Sequence, residues 1–114
     1  MSMIPVDSER FSEFIDKSAI FEVTKQLMKE YLTNWFAADT ETFAENMRAD
    51  LVTVLERYHF HSEFVSITKN FNFDPPMDTV SCTIRISDEE DDCCVRYTAV
   101  FDDQLNVMDD YTKG

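Results

Sequence analysis

Near residue 60 the spacing of apolar side chains changes from helical to alternating, which confines this chain to a layer of helices lying on a sheet. Before that point, Asp7 or Ser8 can cap a short helix whose apolar positions are Phe11, Phe14 and Ile15, spaced i, i+3, i+4. A longer helix is expected over 18–38, with the stripe Ile20, Val23, Leu27, Tyr31 and Trp35 widened by Phe21, Met28, Leu32 and Phe36. Lys25, Lys29 and Glu30 take its wet side. Asp39-Thr40 breaks the pattern, and Thr42-Phe43-Ala44-Glu45 reads as a capping box that starts another helix through Phe43 and Met47. The segment 51–58 stays open. Leu51, Leu55 and Tyr58 extend a helical stripe, yet Leu51-Val52-Thr53-Val54-Leu55 is also rich in strand formers.

After the change of rhythm, Val65, Ile67, Phe71 and Phe73 alternate with Ser66, Thr68, Asn70 and Asn72, a half-buried strand that Asp74-Pro75-Pro76 ends. Further strands are expected over 79–87 and 93–101, then a tight turn at Asp102-Asp103-Gln104 into a last strand, Leu105-Asn106-Val107-Met108. Pairing Ile84 with Val95 and Cys82 with Tyr97 turns both apolar sets to one core and keeps Arg85 from facing Arg96. The expected class is α+β, with two or three N-terminal helices packed on a C-terminal antiparallel meander, all in one domain spanning 1–114.

A chain of 114 residues with 44% hydrophobic residues and ten Phe can bury one core without staples. Ten Lys and Arg against 23 Asp and Glu leave a net charge of −13. That field repels nucleic acid phosphates and anionic membranes and attracts a basic protein surface. No apolar run reaches the roughly 18 residues of a membrane span, and the N-terminus lacks the basic start and apolar stretch of a signal peptide. The three cysteines include the neighbours Cys93 and Cys94 and no CxxC spacing, so neither a disulfide framework nor a thiolate zinc site is expected. These features together point to a cytoplasmic protein. The one glycine is Gly114, which excludes glycine-rich phosphate cradles, and no motif calls for a cofactor.

Two stretches carry a family likeness. Residues 31–43, Tyr-Leu-Thr-Asn-Trp-Phe-Ala-Ala-Asp-Thr-Glu-Thr-Phe, and residues 97–107, Tyr-Thr-Ala-Val-Phe-Asp-Asp-Gln-Leu-Asn-Val, resemble the helix–turn–helix and the final hairpin of the nuclear transport factor 2-like superfamily. The resemblance implies a cone-shaped α+β domain and favours a strand at 51–58. The superfamily includes isomerases, dehydratases, epoxide hydrolases, transport adaptors and scaffolds, so the likeness selects a fold and no activity. Its enzymes use an aspartate general base inside the cone. By that analogy Asp50 and Glu56 are the nearest acids, with Tyr31 or Tyr97 as hydrogen-bond donors. Solvated surface carboxylates are the plainer reading of Asp50 and Glu56.

His59 and His61 share one side of an extended segment, with Glu56, Glu63 and Asp50 nearby in sequence, but a metal site needs a third placed ligand. No Cys–His pair falls in a nucleophile signature. The loop Asp88, Glu89, Glu90, Asp91 and Asp92 lacks the alternating ligands and central Gly of a calcium loop. It reads as a charged hairpin tip, or as a docking point that Asp102, Asp103, Asp109 and Asp110 enlarge if the two turns meet. The function expected is a non-catalytic protein-binding domain, an inhibitor or adaptor engaging a basic partner surface, dimerising through the exposed sheet face. The alternative is a small-molecule binder or isomerase/hydrolase-like enzyme with an apolar pocket in the cone, lined by Tyr31, Trp35 and Tyr97.

Overall fold

The computed structural model describes residues 8–114, except the side chains of 8–11 and 93, so a cap from Asp7 and the burial of Phe11 lie outside it. Four helices precede four strands: α1 Ser8–Ser18, α2 Ile20–Ala38, α3 Thr40–Met47, α4 Leu51–Arg57, β1 His59–Asn70, β2 Met77–Ser87, β3 Cys93–Phe101 and β4 Val107–Lys113. The strands form one antiparallel sheet in the order β1-β2-β3-β4. This is the α+β arrangement expected from the sequence, with one helix more. Among the described residues, no helix is long and apolar enough to cross a membrane.

Ala19, with φ 51°, divides α1 from α2, so the long helix begins at Ile20 and not at Ser18. A left-handed alanine costs about 1–2 kcal/mol; Ala19 is itself exposed and is followed by the buried Ile20. The centre of α2's buried face is Ile20, Thr24, Met28 and Leu32, one residue along from the stripe expected, and Val23 is exposed. Leu27, Tyr31, Trp35 and Phe36 are half-buried on its flanks.

The capping box does not start α3. Asp39 is its N-cap, accepting from the Thr42 amide at 3.1 Å, and Thr42 and Glu45 lie within the helix. The segment left open is helical. Asp50 caps it by accepting from the Thr53 amide at 2.9 Å, and Leu51, Val54, Leu55 and Tyr58 turn toward the core at helical spacing while Val52 stays exposed. The strand at 51–58 that the family likeness favours is therefore absent.

Beneath the helices, β2 presents Val80, Cys82, Ile84 and Ile86, and β3 presents Val95, Tyr97, Ala99 and Phe101. Their register is two residues away from the one expected, with Ile84 opposite Tyr97, Cys82 opposite Ala99 and Ile86 opposite Val95. An even shift keeps the same face buried. It also sets Arg85 directly opposite Arg96, the like-charged juxtaposition that argued against this register.

Acids outside the pair resolve the conflict. Arg96 Nε donates to Glu63 Oε1 at 2.7 Å, and Arg85 Nη2 lies 3.7 Å from Asp91 Oδ1. His61, Arg85, Arg96 and Lys113 thus make one basic row across all four strands on the outer face.

The turns set the register. Between β2 and β3 the Asp88 carboxylate accepts from the amides of Glu90 and Asp92 at 2.9 and 3.0 Å, and Asp91 adopts φ 66°. The loop takes five residues, 88–92, with a bulge between Ile86 and Ser87. Residues 102–106 repeat the device: Asp102 accepts from the amides of Gln104 and Asn106 at 2.9 Å, and Leu105 adopts φ 63°. The final strand consequently starts at Val107 and runs to Lys113, beyond the Leu105–Met108 strand expected. Phe71 and Phe73 fall outside β1, in the turn after Asn70, and are exposed.

Leu32→Ala should lower unfolding free energy by about 3 kcal/mol in denaturant titration, because Leu32 is fully buried. Hydrogen bonding from Thr42 and from Thr53 holds the carboxyls of Asp39 and Asp50 below their ordinary range. A carboxyl depressed in the folded state stabilises it above the unfolded value, about 3.9, and that contribution is lost as pH falls through the folded value. Since Asn caps helices without titrating, Asp39→Asn with Asp50→Asn should show a shallower fall in Tm between about pH 5 and pH 3 than the parent chain.

Candidate functional site

Leu27, Glu30, Tyr31, Asn34 and Trp35 stand at helical spacing on one side of α2, and with Asp110 of β4 they enclose an open groove of about 420 Å³. Asp110 belongs there because it lies opposite Ala99, on the core-facing side of β4, and an edge strand keeps such a residue at the rim. Tyr97, fully buried on β3, donates its hydroxyl proton to Asp110 Oδ2 at 2.7 Å. Burial foremost, and then this bond, push the Tyr97 phenol far above its ordinary value, so it keeps its proton and acts as a donor.

The aromatic wall is braced from behind. The Tyr31 ring lies 5.4 Å from Tyr97 at 60° and 6.4 Å from Trp35 at 65°. Trp35 meets Phe43 edge-on at 5.0 Å and 71°, and Phe36 meets the same ring at 5.2 Å and 80°. The Tyr31 hydroxyl also shares a 3.3 Å hydrogen bond with Thr112 Oγ1 of β4. Trp35 is thus held against the buried Phe43, and Tyr31 against Tyr97 and Trp35, which lowers the cost of ordering these rings on binding.

The chemistry that results is acidic and aromatic. Two carboxylates, Glu30 and Asp110, flank two ring systems, and none of the described residues lining the groove is Lys or Arg. Negative ring faces together with carboxylates suit a cation.

Of the residues singled out for a pocket, Tyr31 and Trp35 line the groove, and Tyr97 lies behind it as the donor to Asp110. The remaining candidates are elsewhere. Asp50 is an exposed helix cap whose carboxyl is lowered, opposite to what a general base needs. Glu56 is exposed on α4. His59 and His61 do share one side of β1, with ring centres 6.0 Å apart, and His61 Nε2 lies 2.9 Å from Asp91 Oδ1. Among the described residues, no group of three His, Cys, Asp or Glu is placed to hold a metal ion.

The acidic turn is largely matched by the chain's own cations. Asp88 pairs with Arg48 at 3.2 Å, Glu89 with Arg57 at 3.8 Å and Asp91 with Arg85 at 3.7 Å, and Asp91 also shares the hydrogen bond with His61. Asp102 and Asp103 lie at the other end of the nine-residue β3, roughly 27 Å away at strand rise, so the two turns do not merge into one patch. Asp110, read from sequence only as an extension of that patch, is the residue missed. Its even spacing from Thr112 was the available signal, but it required knowing which face of β4 turns inward.

Comparison with protein-family models, characterised proteins and solved structures finds no match to this chain. The likeness to the nuclear transport factor 2-like superfamily rests on its two sequence stretches.

Tyr97→Phe removes the donor to Asp110 and should cost about 1 kcal/mol in denaturant titration. A phenol raised in the folded state contributes stability that is whole below its unfolded value, about 10, and is lost as pH climbs toward the folded value. The decline of Tm above about pH 10 should therefore be shallower in Tyr97→Phe than in the parent.

Proposed function

We propose that this chain is a non-catalytic protein-binding domain that takes a Lys or Arg side chain of a basic partner surface into the groove between α2 and β4. The observation that carries this reading is the convergence of the Tyr31 and Trp35 rings with the carboxylates of Glu30 and Asp110 in one open groove. A cation over such a ring contributes about 0.5–2 kcal/mol, and a carboxylate partner adds a charge-assisted hydrogen bond. The donor from Tyr97 orients Asp110 before a partner arrives. The net charge of −13 speeds encounter with a basic surface and makes binding sensitive to salt. In this reading the turn 88–92 contributes to the long-range field, while the groove supplies the specific contact.

Any polycation will feel that field, so the test must separate the groove from net charge. Titration with an acetylated, amidated hexa-arginine peptide should move the Trp35 indole N–H resonance, and Glu30→Gln with Asp110→Asn should weaken binding at least about tenfold, equivalent to 1.4 kcal/mol. Asp91→Asn with Asp92→Asn removes the same number of charges and should leave affinity within about twofold. Equal losses in the two double variants would reduce the effect to bulk charge and defeat the proposal.

A further inference from the structure

The two edges of the sheet are defended differently. β4 is seven residues long and carries Asp109, Asp110 and Lys113, the charges and brevity that discourage another strand from pairing. β1 is twelve residues long and, among the described residues, is hydrogen-bonded to β2 alone. Between the bulge at Glu63 and Lys69 runs Phe64-Val65-Ser66-Ile67-Thr68, a strand-favouring stretch with no charge and no Pro. Both of its faces reach solvent: Phe64 is 52% exposed on the outer face and Ile67 40% on the core-facing side. Just beyond it Phe71 and Phe73 are 75% and 39% exposed.

We propose that a second copy of this chain covers this edge, the two β1 strands pairing antiparallel with Ser66 opposite Ser66 to make one eight-stranded sheet. Identical strands pair this way about a two-fold axis normal to the sheet, which keeps each side chain on its own face and leaves only registers centred on a residue. The register centred on Ser66 sets Val65 against Ile67 of the other copy on the core-facing side and Phe64 against Thr68 on the outer side, while Lys69 stays with its own Asp78 at 3.1 Å and Glu63 with Arg96. Centring on Val65 sets Ile67 against Glu63, and centring on Ile67 sets Val65 against Lys69. One register therefore sets the two core-facing apolar residues of the stretch against each other, and its neighbours set each of them against a charged one.

The other surface considered for self-association is less suited. The outer sheet face carries Phe64 and Tyr111 at its margins, Thr83 and Thr98 already buried and bonded to each other at 2.9 Å in its middle, and the basic row at one end, so a face-to-face dimer would bury cations. Covering Phe64, Ile67, Phe71 and Phe73 instead removes on the order of 300–400 Å² of apolar surface per copy, which, with the backbone pairing, approaches the low end of specific interfaces. β1 is the edge farthest from β4, so both α2–β4 grooves stay open and the dimer presents two of them. Dimerisation and groove binding can thus fail independently.

Sedimentation equilibrium of the full chain from about 5 to about 200 µM should show a reversible monomer–dimer equilibrium. Ile67→Lys, at a half-exposed site, should weaken it at least about tenfold with circular dichroism and Tm unchanged. Ser66→Cys should cross-link under mild oxidation well beyond the parent chain, since opposed residues have Cβ atoms about 4.5–5.5 Å apart. Thr68→Cys should not, because the two copies of residue 68 are separated by about 14 Å along the strands. A chain monomeric throughout, a dimer indifferent to Ile67→Lys, or cross-linking at Thr68 equal to that at Ser66 would each overturn the proposal. If Ile67→Lys fails to fold, the cysteine pair decides alone.

Discussion

The inward faces of β2 and β3 form the one surface that the rest of the molecule is arranged to cover. Ile84 against Tyr97 and Cys82 against Ala99 are buried to the last atom under Met28, Leu32, Phe43, Met47 and Val54, so helices from three elements converge on one hairpin. Interiors pack as densely as organic crystals, and a change at this contact is felt by every neighbour. The left-handed Ala19 between α1 and α2 lies outside that contact, exposed, and leads into the buried Ile20. The step from α3 to α4 is left-handed too: Arg48, also exposed, adopts φ 60° and its guanidinium reaches Asp88 and the Cys94 thiol of β3.

Charge is distributed with the same economy. A chain with more than twice as many acids as bases still brings three of its cations into one cross-strand row, and it does so because the Asp88 turn requires that register. Two amide donations to the Asp88 carboxylate and a left-handed Asp91 hold the five-residue loop, and Glu63 and Asp91 absorb the repulsion that follows. Local turn chemistry here outweighs a cross-strand charge preference of a few tenths of a kcal/mol to about 1 kcal/mol.

The groove and the β1 edge both arise from the sheet's extending past its helices. At one margin α2 stops short of closing over β4, which leaves Asp110 beside Tyr31 and Trp35. At the other margin no strand of the described residues lies beyond β1, and its apolar side chains are only partly covered. The first margin is lined by carboxylates and braced rings, and so presents an acidic recess. The second is uncharged over five residues and so presents a strand to pair. The difference between them lies in side chains and not in topology.

Hydrophobic rhythm alone determined that helices precede a meander, that β2 and β3 are its buried strands and which of their faces turns inward, because burial of one face selects a period of 3.6 or of 2. Several features needed the folded chain. Leu51-Val52-Thr53-Val54-Leu55 satisfies either period, and the Asp50 cap with the position of Tyr58 against the core makes it a helix. Register was undetermined between alternatives two residues apart, since both bury the same side chains, until the Asp88 turn chose. Asp110 looked like one more acid in an acidic tail. The β3–β4 register sets it beside Tyr97, but only the seating of α2 along that margin, with residues more than seventy positions earlier in the chain, brings the aromatic wall to it, because a contact between layers depends on how they stack.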